Sequence, residues 1–131
     1  MNDSSLIAYL QKAVPNLIAI YRFGSAEQGA VRPDSDIDLA LFSREALPEL
    51  CRFELAQDLA IQLHRDVDLV DLRSASTVMR MQIISTGTCL TSVDEQARRE
   101  FEMYTYSDYA RLNEERGAIV KGITKRGLVY G

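Results

Sequence analysis

The sequence predicts one α/β domain with a mixed, α+β type of sheet flanked by helices and a long helix towards the C-terminus. Three observations predict this class. Segments whose apolar residues recur at helical spacing alternate with short runs rich in β-branched and aromatic residues. A length of 131 residues, 47% of them hydrophobic and 26% charged, fits a single globular domain. A long helical segment, rather than further strands, follows the last of these runs.

The N-terminal part of the chain predicts a helix followed by a buried strand. Residues 4–14 carry apolar side chains at helical spacing, and residues 17–23 form an apolar run that contains isoleucine and aromatic residues. Gly24 and Ser25 end that strand. Residues 26–35 contain glycine and proline, which predicts a short helical turn and then a loop.

The middle of the chain predicts two more strands with a helix between them. Residues 36–42 and residues 67–72 are the strand-like runs. Pro48 suits the first turn of the connecting helix, because its fixed φ matches a helix and its missing N–H leaves no bond unmade there. This helix should extend to about His64.

The C-terminal third predicts two helices around a short edge strand. Residues 74–85 form the first helix, and residues 88–91 form the strand. Asp94 is a suitable N-cap for a long helix that reaches about Arg116, because its side chain can accept a bond from a free backbone N–H. The basic, glycine-containing tail at 117–131 should be loosely ordered or held by a partner.

The composition excludes several classes of function. A net charge of −4 and a pI near 5.0 argue against general affinity for nucleic acid or anionic membranes, both of which need a basic surface, so no direct nucleic-acid binding is expected. The apolar runs are too short to span a bilayer. Two cysteines without a disulfide or zinc-site pattern, and no signal peptide, favour a cytoplasmic location.

A few single residues have plain structural interpretations. Cys51 and Cys89 are expected to be small buried apolar residues. His64 is expected to interact with the dipole at a helix C-terminus rather than to bind metal. The last long helix carries four aromatic residues that cannot share one narrow stripe, so some should pack on the domain and others can meet a partner: Phe101, Tyr104, Tyr106 and Tyr109.

The chemically informative segment runs from the end of the first strand into the second. Gly24 and Ser25 lie where a strand turns into a helix, a place where backbone N–H groups and a hydroxyl can hold phosphate. Ten residues separate Ser25 from Asp36, and Asp38 follows two positions later. Residues two apart on a strand point to the same face, so these carboxylates should stand side by side. Like charges so close call for a counter-ion, and magnesium takes such hard oxygen ligands.

A third carboxylate is expected from the third strand. Asp68 can complete the cluster if that strand lies beside the second, and two metal ions about 3.5–4 Å apart could then act on a triphosphate. Asp68 would also serve as general base or position the nucleophile through the metal. Asp66 lies at the strand start, and Asp71 should face the other side, so both are weaker alternatives.

These residues resemble the nucleotidyltransferase superfamily related to DNA polymerase β. The motif Gly-Ser-x10-Asp-x-Asp is complete, and the third family carboxylate corresponds best to Asp68. The resemblance covers about residues 4–92 and is greatest to the minimal nucleotidyltransferases (MNT), including the MntA-type antitoxins of HEPN/MNT toxin–antitoxin pairs. It implies a nucleotidyltransferase core at 1–92, with a C-terminal helix and tail at 93–131 that belong to the same domain and contact a partner.

The resemblance also implies an activity. In a type VII-like pair of this kind, the MNT protein uses ATP and magnesium to transfer AMP to a tyrosine of the HEPN ribonuclease toxin and forms a stable complex with it. Gly24 and Ser25 would then hold the triphosphate, with Ser35 as a further phosphate contact. Asp36 and Asp38 would bind both Mg²⁺ ions, and Asp68 would bind the catalytic one.

Two alternatives remain open from the sequence. The protein could neutralise its partner by occlusion, with no catalysis. It could also transfer the nucleotide to a small molecule, such as an aminoglycoside, or to an RNA end. The larger family members that do this carry extra domains, which a chain of 131 residues has no room for.

Overall fold

The computed structural model describes residues 2–24 and 36–125, with side chains described as far as residue 117. Ser25, Ser35 and the predicted turn at 26–35 therefore lie outside the described residues, as do the last six residues of the tail. Eight elements occur in the described part: α1 (Asp3–Ala13), β1 (Leu17–Phe23), β2 (Ile37–Ser43), α2 (Glu49–Leu63), β3 (Val67–Asp71), α3 (Thr77–Thr86), β4 (Thr88–Ser92) and α4 (Glu95–Lys125).

The four strands form one mixed sheet in the order β3-β2-β1-β4. Strand β1 is antiparallel to both β2 and β4, whereas β2 and β3 are parallel. The parallel pair is possible because α2 carries the chain back between the two strands. The predicted mixed sheet, its four strands and the edge position of β4 are confirmed.

Each face of the sheet is buried under helices. On one face, called the α2 face below, Leu39, Leu41 and Leu69 pack with apolar residues of α1 and α2. On the opposite face, the α4 face, Ala40 and Phe42 pack with residues of α3 and α4. Alternate residues of β2 thus enter different cores, as the two-residue period of a strand requires.

Helix α4 is longer than the sequence predicts. It begins as expected, since the Asp94 carboxylate accepts a bond from the Ala97 N–H at 3.1 Å. It then continues to Lys125 instead of ending near Arg116, so residues 117–125 are helical and the expectation of loose order is wrong for them. The alternative, that a partner holds the tail, stays a prediction. Gly117 weakened the helix prediction, but a single glycine costs a helix only about 1 kcal/mol and the flanking sequence contains no proline. Among the described helices, none has the length and apolar character to cross a membrane.

Two smaller predictions are also corrected. Helix α3 begins at Thr77 rather than Ser74, because the Asp71 carboxylate accepts bonds from the Arg73 N–H and the Ser74 hydroxyl and so fixes a turn. Cys51, expected to be buried, is exposed, because it lies one turn before Leu55, where burial of α2 begins. Cys89 is only partly buried.

A buried polar network fastens α4 to the centre of the sheet. The Tyr21 hydroxyl, on a side chain that is only 2% exposed, donates to the Glu102 carboxylate at 2.6 Å. Arg98 donates to the same carboxylate at 2.7 Å and to Glu95 at 2.6 Å. Burial, followed by the contact with Glu102, raises the pKa of Tyr21, so the hydroxyl remains a donor. The network therefore fixes where α4 crosses β1.

The Tyr21→Phe substitution should lower the free energy of unfolding by about 1 kcal/mol, the usual net value of one buried hydrogen bond. Chemical denaturation of the two proteins measures this difference. Tyr104→Phe is the matched control, because it removes the same hydroxyl from a tyrosine of α4 that is 63% exposed. Equal effects of the two substitutions would contradict the role assigned to the network.

Candidate active site

Asp38 and Asp68 lie side by side on the two parallel strands. The register of β2 and β3 pairs their Cα positions directly, although 29 residues separate them in the sequence. Both residues alternate with Leu39 and Leu69, which enter the α2 face, so both belong to the opposite α4 face. The condition set by the sequence, that the third strand lie beside the second, is met.

Gly24 provides the space that Asp38 occupies. It follows β1, where Phe23 pairs with Asp38 across the antiparallel ladder. A Cβ atom at residue 24 would stand 2.1 Å from the Asp38 Oδ2 atom, far inside any allowed contact. The residue also has a φ of +85°, which disfavours every residue with a side chain. Glycine is thus required here both by its backbone conformation and by the carboxylate beside it.

Burial and neighbouring negative charges disfavour the ionised form of the Asp38 carboxyl group. Partial burial, then the charges of Asp68 and Asp36, raise the pKa of Asp38 above that of an ordinary carboxyl group. Asp36 stands just before β2 and is exposed. The folded chain thus holds Asp38 where a positive charge would be favourable.

The carboxylates of Asp38 and Asp68 suit a magnesium ion that is also held by water and substrate phosphates. Within residues 2–24 and 36–125, no three acidic, histidine or cysteine side chains are already gathered closely enough to hold a metal ion. Mg²⁺ rarely uses such a closed cage, since it binds one or two carboxylates and completes its shell with water and substrate phosphates. The adjacent pair Asp38 and Asp68 fits that habit, and the convergence of all three carboxylates stays a prediction.

Of the two competing aspartates, Asp71 has a visible structural role. Asp71 is 4% exposed, and its carboxylate accepts bonds from the Leu47 N–H and from two groups of the turn after β3. Asp66 is exposed at the start of β3, where its backbone carbonyl accepts the Ile37 N–H. His64 is the exposed C-cap of α2 in a left-handed conformation, as its predicted place at a helix end requires.

The motif does not account for one charged residue near the site. Arg52 of α2 lines a cavity of about 240 Å³ together with Asp68 and Glu49. The only signal for it in the sequence is the i, i+3 spacing of Glu49 and Arg52, which is common on exposed helices.

A second cavity, of about 430 Å³, opens at the other end of the strands. It is lined by residues around Pro15 and by the segment from Ser43 to Cys51. Gly24, Asp36, Asp38 and the residues of β3 do not line it. The predicted site around Gly24, Asp38 and Asp68 therefore lies apart from this cavity.

Comparison with protein families agrees with the fold. Residues 4–96 match the family described as "Polymerase beta, Nucleotidyltransferase". The chain belongs to the polymerase β nucleotidyltransferase family. It is also 42% identical over 123 residues to the protein adenylyltransferase MntA of Shewanella oneidensis, an alignment that covers 94% of this chain and 88% of the relative.

Solved structures share the whole fold. A crystal structure described as a toxin–antitoxin with AMP-PNP contains a chain that is 42% identical and superposes with a TM-score of 0.84, covering 95% of this chain and 99% of the other. A structure of a tri-AMPylated Shewanella oneidensis HEPN toxin in complex with an MNT antitoxin gives 39% identity and a TM-score of 0.77, covering 93% and 95%.

The Asp38→Asn substitution should increase the free energy of unfolding at neutral pH, because it removes a carboxylate whose pKa is raised in the folded protein. The folded wild type binds this proton more tightly than the unfolded chain, so its stability falls as the pH rises from about 4 through the raised pKa. The gain of the variant should therefore be present above that window and absent below it.

Denaturation curves at several pH values measure that difference. Glu54→Gln, which neutralises an exposed carboxylate of α2, is the control and should give little change. An Asp38→Asn protein that is less stable than wild type at neutral pH would contradict the electrostatic account.

Proposed function

We propose that this protein is the antitoxin of a toxin–antitoxin pair and a magnesium-dependent adenylyltransferase that acts in the cytoplasm. It transfers AMP from ATP to a tyrosine of its cognate HEPN ribonuclease and thereby inactivates the toxin. The observation that carries the proposal is the adjacent pair Asp38 and Asp68 beside Gly24, on a chain 42% identical to the protein adenylyltransferase MntA. The similarity between this chain and these relatives extends over nearly the full length of each, which supports a shared activity.

The motif residues receive the roles that the family pattern implies. Gly24 and Ser25 hold the triphosphate, and Ser35 adds a phosphate contact. Asp36 and Asp38 bind both ions, and Asp68 binds the catalytic ion. The raised pKa of Asp38 supports this assignment, because a divalent cation would offset the charges that crowd this carboxylate.

The transfer itself needs little covalent chemistry from the protein. The acceptor tyrosine oxygen forms a bond to the α-phosphorus, its proton leaves, and the bond to pyrophosphate breaks. Bound Mg²⁺ would lower the pKa of the attacking hydroxyl and neutralise charge on the leaving pyrophosphate. Asp68 accepts the proton or orients the acceptor oxygen, and the Asp38 carboxylate would hold the substrate's counter-ions.

An apolar patch on α4 is suited to contact with the toxin. Met103, Tyr104 and Tyr106 are 56%, 63% and 43% exposed, whereas Phe101 of the same helix stacks on Phe42 with ring centroids 4.2 Å apart. Tyrosine and methionine are enriched at protein interfaces, where they bury a large area. We assign this patch to the partner contact expected of residues 93–131.

Incubation with labelled ATP, Mg²⁺ and the purified cognate toxin should transfer label to the toxin. The Asp36→Asn/Asp38→Asn variant should lose essentially all of this transfer, because both ions lose a ligand while the shape of the side chains is kept. Mass spectrometry should find the toxin heavier by whole AMP units. Asp66→Asn is the matched control, since it neutralises an exposed aspartate at the start of β3.

The same variant separates catalysis from occlusion in cells. If Asp36→Asn/Asp38→Asn still binds the toxin but no longer protects the cells, the antitoxin acts by chemistry. Full protection without transfer would replace the enzymatic proposal with neutralisation by binding. Label found on a small molecule or on RNA, and not on the toxin, would show that the acceptor is not a tyrosine of the toxin.

Met103→Glu/Tyr106→Glu should weaken the affinity for the toxin by about tenfold or more, because charge would enter a contact that depends on apolar burial. Titration calorimetry measures the change. Ile61→Glu is the control, since Ile61 is 71% exposed on α2 and lies outside the patch. Unchanged affinity in the double variant would place the toxin elsewhere on the surface.

A further inference from the structure

Strand β3, which carries Asp68, lies at the edge of the sheet formed by the described residues. Among the described strands it pairs only with β2. The Asp66 carbonyl accepts the Ile37 N–H of β2, so the carbonyls of even-numbered residues in β3 point inwards and that of Leu69 points away from β2. A strand held on one side depends on other contacts to keep its position.

Arg52 makes such a contact at the free side of the strand. Its Nη1 group donates to the Leu69 carbonyl at 2.8 Å, one residue after Asp68. Glu49, one turn earlier in α2, forms an ion pair with the same guanidinium. The Arg52 side chain is 27% exposed, so the bond to Leu69 is partly shielded from water.

Arg52 approaches β3 from the helix that covers the α2 face. Helix α2 packs against Leu69, whereas Asp68 belongs to the α4 face. The Arg52 side chain nevertheless reaches the edge of the strand, where it lines a cavity with Asp68. The ion pair with Glu49 first, and then the charges of Asp68 and Asp71, raise the pKa of Arg52.

We propose that Arg52 is a positioning residue, which fixes the free edge of β3 through the Leu69 carbonyl and so keeps Asp68 level with Asp38 for metal binding. This inference rests on the proposed function, because only a metal-dependent transfer requires the two carboxylates to stay in register. Residues that orient metal ligands without touching the metal commonly change metal affinity or activity by 10- to 100-fold when they are altered.

The binding test uses this protein, Mn²⁺ as a paramagnetic substitute for Mg²⁺, and AMP-PNP, and the transfer assay with ATP and the toxin is run beside it. Arg52→Met should weaken Mn²⁺ binding, measured by electron paramagnetic resonance, by about tenfold. Amide hydrogen exchange in the metal-free protein should accelerate in residues 67–71 and remain unchanged in β1. Arg52→Lys, which can still donate one bond to the carbonyl, should recover most of the Mn²⁺ affinity.

Arg44→Met is the matched control, because Arg44 pairs with Asp94 at the other end of the strands. It should leave Mn²⁺ binding and the exchange of β3 unchanged. Wild-type Mn²⁺ affinity in Arg52→Met would overturn the proposal, as would exchange that accelerates equally in all strands. A wild type that binds Mn²⁺ but transfers no AMP would overturn the proposed function alone, and a wild type that binds no Mn²⁺ would overturn both.

Discussion

Repulsion between two neighbouring carboxylates is the constraint on which this structure depends. The parallel register sets Asp38 opposite Asp68, and Asp36 adds a third negative charge nearby. Bringing like charges together costs free energy, so the remainder of the fold must supply enough stabilisation to hold them. Apolar packing on both faces of the sheet provides it, with buried leucines on one side and Phe42 stacked on Phe101 on the other.

Alternate residues of the strands serve either the stability of the domain or the charged pair of the site. Odd-numbered residues of β2 and β3, such as Leu39 and Leu69, enter the α2 face and stabilise the domain. Even-numbered residues face the other way, and only their first members are charged. Farther along the same face, Ala40 and Phe42 return to apolar packing under α3 and α4. The carboxylate pair is therefore confined to one end of one face.

Much of this arrangement could be predicted because it depends on local spacing. The two-residue period of a strand separates Asp38 from Leu39, and the apolar runs locate all four strands to within about two residues. The motif identified the glycine that Asp38 requires. These inferences need only the conformation of each segment and its immediate neighbours.

Other features depend on contacts that no local pattern encodes. Arg52 acquires its importance from a carbonyl 17 residues away, on a strand whose edge position follows from the whole topology. Helix α3 starts late because Asp71 accepts bonds from the turn that precedes it. Cys51 is exposed because burial of α2 begins one turn later, and α4 passes through Gly117 because one unfavourable residue is outweighed by its neighbours.

The adjacency of Asp38 and Asp68 also bears on the order of events during synthesis of the chain. The two residues meet only after α2 has folded back and β3 has added to β2 as a parallel neighbour. Parallel pairing of this kind forms late, because a long loop must close before any contact rewards it. A ribosome-bound fragment that ends before β3 has one of the two carboxylates and not the other. The carboxylate pair is thus assembled only after β3 has joined the sheet.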